Sequence, residues 1–348
     1  MRRDKDHFRG CLLGGAIGDA LGWPVEFLRL NEIRKKYGKV GITDLIEGEN
    51  DKAEITDDTQ MTLFTAEGIL RAESRGNERG ICSPAFVVYN AYLRWLNTQG
   101  YPRLEDRNWI YDGWLIGVKE LHVRRAPGNT CLSALSSGKH GTIDKPINNS
   151  KGCGGVMRVA PAGLFYRKES AFRMAADFAA LTHGHPSGYL SAGALAYMIA
   201  SIIEGQDIET AVKSTLAELK KHENHEECTQ SLNQALKLSK SGLSDVEAIF
   251  RLGEGWVGEE ALGISTYCAL KYQDDFKKAL IAAVNHNGDS DSTGAITGNI
   301  LGAYLGLSKI PADWVEKVEL KEVITQIADD LLVGYREDSE WWNRYPGY

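Results

Sequence analysis

Two short segments combine paired carboxylates with hydroxyls, each directly ahead of a helical run. The first is Ile55-Thr56-Asp57-Asp58-Thr59-Gln60. One Thr or Asp at a helix start serves as a cap for free backbone N–H groups. Two adjacent carboxylates exceed that need, because the second meets like-charge repulsion unless a cation binds. Capping alone and cation binding both stay open for this segment. The second segment runs from Asn285 to Gly294, and its Asp289-Ser290-Asp291-Ser292-Thr293 places carboxylates and hydroxyls within about one turn. Such an all-oxygen set suits a hard divalent cation. An EF-hand calcium loop would need Glu at position 300, where Ile300 stands. A phosphatase nucleophile of the Asp-x-Asp-x-Thr type should follow a buried strand. Here Asn285, His286, Asn287 and Gly288 precede it in helical surroundings.

Other polar groups are weaker signals taken singly. Glu26 closes the first helix, and a lone Glu beyond Pro24 is ordinarily a surface residue unless a helix crossing brings it to the aspartates. Asn148 to Arg158 is a glycine-rich loop whose backbone N–H groups could cradle phosphate, although it matches neither the P-loop nor the dinucleotide fingerprint. His183 and His185 lie beside a helix start without a third nitrogen or sulfur ligand, which disfavours zinc. His222, His225, Glu226, Glu227 and Cys228 sit in a charge-dense stretch and read as a solvated helix face.

These groups must be positioned by helices. Helical periodicity marks Met61 to Arg71, Ala85 to Leu96, Ala171 to Leu181, Gly188 to Ile203, Ile208 to Leu219, Glu259 to Tyr272, Ala295 to Leu305 and Val323 to Leu332. The best strand-like run is Val40 to Ile46. The chain is therefore read as all-α, one multi-helix domain over residues 1–348. Gly10, Gly14, Gly18 and Gly22 recur at steps of four, as do Gly294, Gly298, Gly302 and Gly306. Each set lines one helix face, so two helices are expected to cross closely.

The 43% hydrophobic and 25% charged composition excludes disorder and low-complexity scaffolds. A net charge of -7 leaves no electrostatic footprint for nucleic acid or an anionic membrane. Six cysteines without a C-x-x-C pair read as reduced thiols in a cytoplasmic chain. The uncharged run from Pro186 to Ile203 contains Pro, Gly and Ser, and reads as a buried helix rather than a membrane span. A monomer is the default.

In this order the segments resemble the ADP-ribosylglycohydrolase family, metal-dependent enzymes that remove ADP-ribose from modified proteins. The resemblance spans most of the chain. It rests on Gly10 to Gly22 with Pro24 and Glu26, on Thr56 to Thr59, Arg125 to Gly128, Gly152 to Pro161, Thr182-His183 and Gly288 to Gly294. It implies an all-α fold with two Mg²⁺ or Mn²⁺ ions in a central cleft. The implied ligands are Thr56, Asp57, Asp58, Asp289, Asp291 and Ser292, with Thr293 adjoining the last. Glu26, Asp58 and Asp291 are the implied catalytic residues, Glu26 as acid or base.

The resemblance also implies that Gly152, Gly154, Gly155, Val156 and Met157 hold the diphosphate and distal ribose, with His183, Gly255 and Trp256 lining the ligand. Where the family form reads Gly-Asn-Gly-Ser, this chain reads Gly152-Cys153-Gly154-Gly155. The implied activity cleaves the bond at C1″ of the distal ribose on a protein side chain, arginine first and serine second, releasing ADP-ribose. A non-catalytic ADP-ribose-binding or crystallin-like protein of the same fold is the alternative. A metal-dependent phosphohydrolase acting on a nucleotide diphosphate is a third reading.

Overall fold

The computed structural model describes residues 1–48 and 51–347. Helices dominate, and the described residues contain only three isolated bridge pairs and no strand. Two helices from opposite ends of the chain form the central pair. Lys5–Gly22 begins at Asp4, whose side chain accepts the His7 N–H, and it is buried almost throughout. Ser290–Leu305 packs antiparallel against it, and the two glycine sets meet face to face.

A Cβ on Gly18 would lie 2.0 Å from the Gly294 carbonyl oxygen, one on Gly14 2.5 Å from that of Gly298, and one on Gly10 2.6 Å from that of Gly302. No other residue type fits at that separation. Each glycine costs about 1 kcal/mol of helix propensity relative to alanine, and the backbone contact it allows replaces what the missing side chain would have buried.

Asp57–Arg79 packs against Pro84–Thr98, and a buried ion pair from Arg94 to Glu67 at 2.7 Å joins them. Lys168–Ala180 pairs with Pro186–Ile203. The latter helix is long and apolar enough to cross a membrane, but 94% of it is buried inside the protein, as expected for a core helix. One apolar core runs from Phe8 to Tyr345. A smaller one holds Leu238, Ile249, Ile264 and Tyr267 beneath Glu226–Ser239, Asp245–Leu252 and Gly258–Lys271. All six cysteines are free.

The sequence expectation of a strand at Val40 to Ile46 fails. The segment has no partner strand among the described residues, and Gly41 turns it at φ 89°. Asn285 satisfies its backbone instead, donating Nδ2–H to Ile42 O at 2.8 Å and accepting Ile42 N–H at 2.9 Å. A side-chain amide does here what a neighbouring strand would otherwise do.

Candidate metal centre and ligand cleft

The glycine crossing ends at Gly22, where an added Cβ would lie 2.3 Å from Ser290 O and 2.5 Å from Asp291 Cα. The first helix is thus seated directly on the start of the second. The helix stops at Gly22, and a 3-10 turn, Trp23–Val25, carries the chain on to Glu26, so this residue lies one turn beyond the helix that it was expected to close. Glu26 is only 7% exposed, unlike a surface residue. Its carboxylate, that of Asp289 and that of Asp291 each offer an oxygen within 4.8 Å of the others.

The Thr56 segment is locked from below by Asp19. The Asp19 carboxylate accepts the N–H groups of Thr56 and Thr59 and both hydroxyls. Thr56 caps its helix by accepting the Asp58 N–H, and its hydroxyl also lies 3.3 Å from Asp291 Oδ2. Asp57 Oδ2 accepts the Gly128 N–H at 3.1 Å. The turn that presents this amide is anchored by Arg125, which donates to Glu319 at 2.6 Å and to Ile55 O at 2.9 Å.

Asp289 caps the second helix by accepting the Ser292 N–H, and its own N–H goes to Glu254 O at 2.8 Å. Ser292 lines the cleft, with its hydroxyl toward the sulfurs of Cys153 and Met157. The Thr293 hydroxyl is engaged elsewhere, with Ala283 O, Asp289 O and His286 Nε2 all within 2.9 Å. Of the two adjacent hydroxyls, that of Ser292 is the one on the cleft side.

Burial first, then the charges of Asp289, Asp57 and Asp19, push the Glu26 carboxyl up to about 9. Burial lifts Asp57 to about 8 despite the Gly128 amide. Asp58 and Asp291 are raised well above the usual carboxylate range, again by burial first and then by neighbouring carboxylates. Glu26 Oε2 and Asp58 Oδ1 are buried without any protein hydrogen-bond partner. Unsatisfied buried carboxylate oxygens in a cluster this acidic call for positive charge, and the hard-oxygen donor set fits a divalent metal ion such as Mg²⁺ or Mn²⁺.

The opposite wall is the glycine-rich loop. Gly152, Cys153, Gly154, Met157, His183 and Trp256 line the cleft. Gly155 and Val156 lie behind it: a Cβ on Gly155 would meet Gly188 O at 2.9 Å, and Val156 is fully buried. Several of the loop's amides are already bonded within the protein: Ser150 N–H to Asn148 Oδ1, Gly152 N–H to Ser150 Oγ, Cys153 N–H to Trp256 O, and those of Val156 and Met157 to Cys153 O. The loop therefore offers fewer free donors than its composition implies. Gly255, at φ 85°, backs onto Asp289, and Trp256 stacks on Phe27 with ring centroids 6.0 Å apart.

His183 and His185 do separate work. His185 accepts the Ser187 N–H as a helix cap, while Nδ1 of His183 meets the Thr182 hydroxyl. The His222 to Cys228 stretch is less solvated than its charge implies. Cys228 is buried, His222 stacks on Phe172 at 4.3 Å, and Glu227 holds Lys151 of the glycine-rich loop at 3.0 Å.

Three participants carried no sequence signal of their own. Asp19 sits inside a glycine-patterned helix where nothing marks it as a partner of Thr56 and Thr59. Cys153 donates its thiol to Asp289 Oδ2 at 2.7 Å. Glu319 anchors Arg125 from nearly 200 residues away. Only the departure at Cys153 from the family's asparagine could have drawn attention to any of them.

The comparisons bear on the fold and the family. The family model described as ADP-ribosylglycohydrolase matches residues 1–340. The chain is 27% identical over 334 residues to the ADP-ribosyl-[dinitrogen reductase] glycohydrolase of Rhodospirillum rubrum, covering 91% of each chain. It is 26% identical to the ADP-ribosylarginine hydrolase Tri1 of Serratia proteamaculans, covering 94% of this chain and 79% of that one. A solved ADP-ribosylglycohydrolase-related protein complex shares the fold, with a TM-score of 0.67 at 22% identity, covering 96% of this chain and 99% of the other. A match across all but the last few residues, on a helical frame that gathers the acidic segments into one cleft, makes this chain a member of the ADP-ribosylglycohydrolase family.

Proposed function

We propose that this chain is a metal-dependent hydrolase that removes ADP-ribose from ADP-ribosylated protein side chains, arginine first and serine second, by cleaving the glycosidic bond at C1″ of the distal ribose. The convergence of Glu26, Asp289 and Asp291 beside Thr56 carries the reading, because it supplies a proton-transfer group within reach of a cation site. The arginine preference is supported by the name of the Serratia relative, an ADP-ribosylarginine hydrolase.

Thr56, Asp57, Asp58, Asp289, Asp291 and Ser292 would hold two Mg²⁺ or Mn²⁺ ions. Such ions, when bound, fix the vicinal hydroxyls of the distal ribose and acidify water. The remaining steps belong to the chain. The loop from Gly152 and the residues His183 and Trp256 orient the diphosphate and ribose against the acidic floor. Glu26 holds or takes a proton at Oε2, the atom without a partner in the protein. It serves either the attacking water or the departing side-chain atom. Phe27 on Trp256, and Arg29 paired to Glu254 at 2.9 Å, fasten the segment after Glu26 to the other side of the cleft mouth.

Incubation with ADP-ribosyl-arginine and ADP-ribosyl-serine peptides, followed by identification of the released small molecule, tests the reading. Free ADP-ribose is expected. AMP would indicate a phosphohydrolase instead, and ADP-ribose binding without any product would indicate a binding protein.

A further inference from the structure

Arg158 lies behind the glycine-rich loop, fully buried, and no carboxylate pairs with it among the described residues. Nη1 meets the sulfurs of Cys131 and Met61 at 3.3 and 3.4 Å. Nη2 donates to Phe178 O at 3.3 Å and to Thr182 Oγ1 at 2.6 Å. The guanidinium rests 4.2 Å from the centroid of the Tyr92 ring, and Nε has no acceptor. A buried cation without a counter-ion is costly to keep, and its shortest contact leads toward the cleft.

Thr182 Oγ1 is 2.8 Å from His183 Nδ1 and 3.5 Å from Ala179 O. A hydroxyl has one proton to give, and a guanidinium can only donate. Thr182 therefore receives from Arg158 and has one proton to place between Nδ1 and Ala179 O, and the much shorter distance, 2.8 against 3.5 Å, points to Nδ1. The charge behind it polarises the hydroxyl and strengthens that second bond. Burial, with Arg158 adding to it, depresses His183 to about 3, so the ring is neutral. A neutral imidazole that accepts at Nδ1 carries its proton on Nε2. That atom faces the loop: a Cβ on Gly154 would lie 3.2 Å from it and one on Gly152 3.4 Å, and both glycines line the cleft with His183.

We propose that Arg158 and Thr182 are positioning residues that fix His183 as the Nε2–H tautomer, giving the cleft a rigid donor for an oxygen of the bound ligand. The identity of that oxygen, on ADP-ribose, rests on the function proposed above; the tautomer does not. In the opposite arrangement His183 would donate from Nδ1 to Thr182, and Nε2 would present a lone pair that repels a phosphate or hydroxyl oxygen.

Two-bond ¹H–¹⁵N spectra of the ligand-free protein read the tautomer directly, with His183 assigned by the signals lost in His183→Asn. The Nε2-protonated pattern is expected, and an Nδ1-protonated pattern overturns the proposal without needing any further variant. Calorimetric titration with ADP-ribose provides the second arm. Thr182→Val is expected to weaken binding roughly tenfold, the worth of one well-placed hydrogen bond to a charged group, while Thr182→Ser stays within about threefold of wild type. Equal affinity of the Val variant and wild type overturns the positioning role. Failure of the wild-type chain to bind ADP-ribose would count against the proposed function and leave the tautomer spectrum to decide the relay.

Discussion

Thr59 gives both its amide and its hydroxyl to one carboxylate oxygen of Asp19, at 3.1 and 2.5 Å. With the matching pair from Thr56, this fastens the start of Asp57–Arg79 to the central glycine helix. Burial raises Asp19 to about 6 even though these bonds favour its charged form. Asp19→Asn turns an amide N–H toward donors. A loss of about 1–3 kcal/mol in stability is expected, together with weaker metal binding, because Asp57 and Asp58 lose their fixed position. Chemical denaturation and a Mg²⁺ titration of the variant check both, and unchanged metal affinity would separate Asp19 from the site.

Glu26→Gln keeps the shape of the side chain and removes its proton transfer. A fall in kcat of about 10²-fold or more is expected, with ADP-ribose affinity within roughly a factor of ten of wild type. Steady-state kinetics beside calorimetry distinguish this from a scaffold role, in which kcat would stay level.

Hard oxygen ligands favour Mg²⁺ and Mn²⁺ over zinc. Activity is expected to vanish in EDTA and to return with either of the first two ions, poorly with zinc. Full activity in protein shown by elemental analysis to be metal-free would exclude the cation-dependent mechanism.

Asp57 at about 8 and Glu26 at about 9 lie above the ~4 of a carboxyl in an unfolded chain. The folded, metal-free protein therefore holds protons that the unfolded chain releases. This contribution to stability is complete below pH ~4 and is lost as pH rises through 8 and 9. Melting temperature in EDTA should fall between roughly pH 5 and pH 9, and the fall should flatten in Mg²⁺. A metal-free melting temperature that climbs across this range would mean that neither burial nor mutual repulsion raises these carboxyls.

Asp291→Asn relieves that repulsion. The metal-free variant should be at least as stable as metal-free wild type, and its gain on adding Mg²⁺ should shrink. If Asp291 were merely a partner of the helix dipole, the metal-free variant would lose about 0.3–1 kcal/mol and respond to Mg²⁺ as wild type does. Four thermal melts decide between these outcomes.

The glycine steps and the aspartate pairs were legible because each is a local pattern, a repeat of four or a doubled carboxylate at a helix start. Every helix read from periodicity is present, most with ends shifted by a few residues, although the one read from Met61 to Arg71 runs on to Arg79. The relationships hidden from the sequence are those between residues without a pattern of their own: Asp19 with Thr59, Arg125 with Glu319, Arg158 with Thr182. Val40 to Ile46 was misread for a related reason. Its run of β-branched and apolar residues is strand-like in composition, but what satisfies its backbone is the side chain of Asn285, and nothing local reports such a partner.

The glycine crossing also bears on how the protein is made. Its first half, Gly10 to Gly22, leaves the ribosome long before the second, Gly294 to Gly306. Until the second emerges, the first helix lacks the surface that receives its bare face, and Glu26 has no Asp289 or Asp291 to sit beside. Closing so long a loop is slow, and entropy opposes it until the contacts form. The acidic centre thus cannot be complete until Asp289 and the helix that follows it have been made, and a nascent or truncated polypeptide that lacks them has no assembled centre to use.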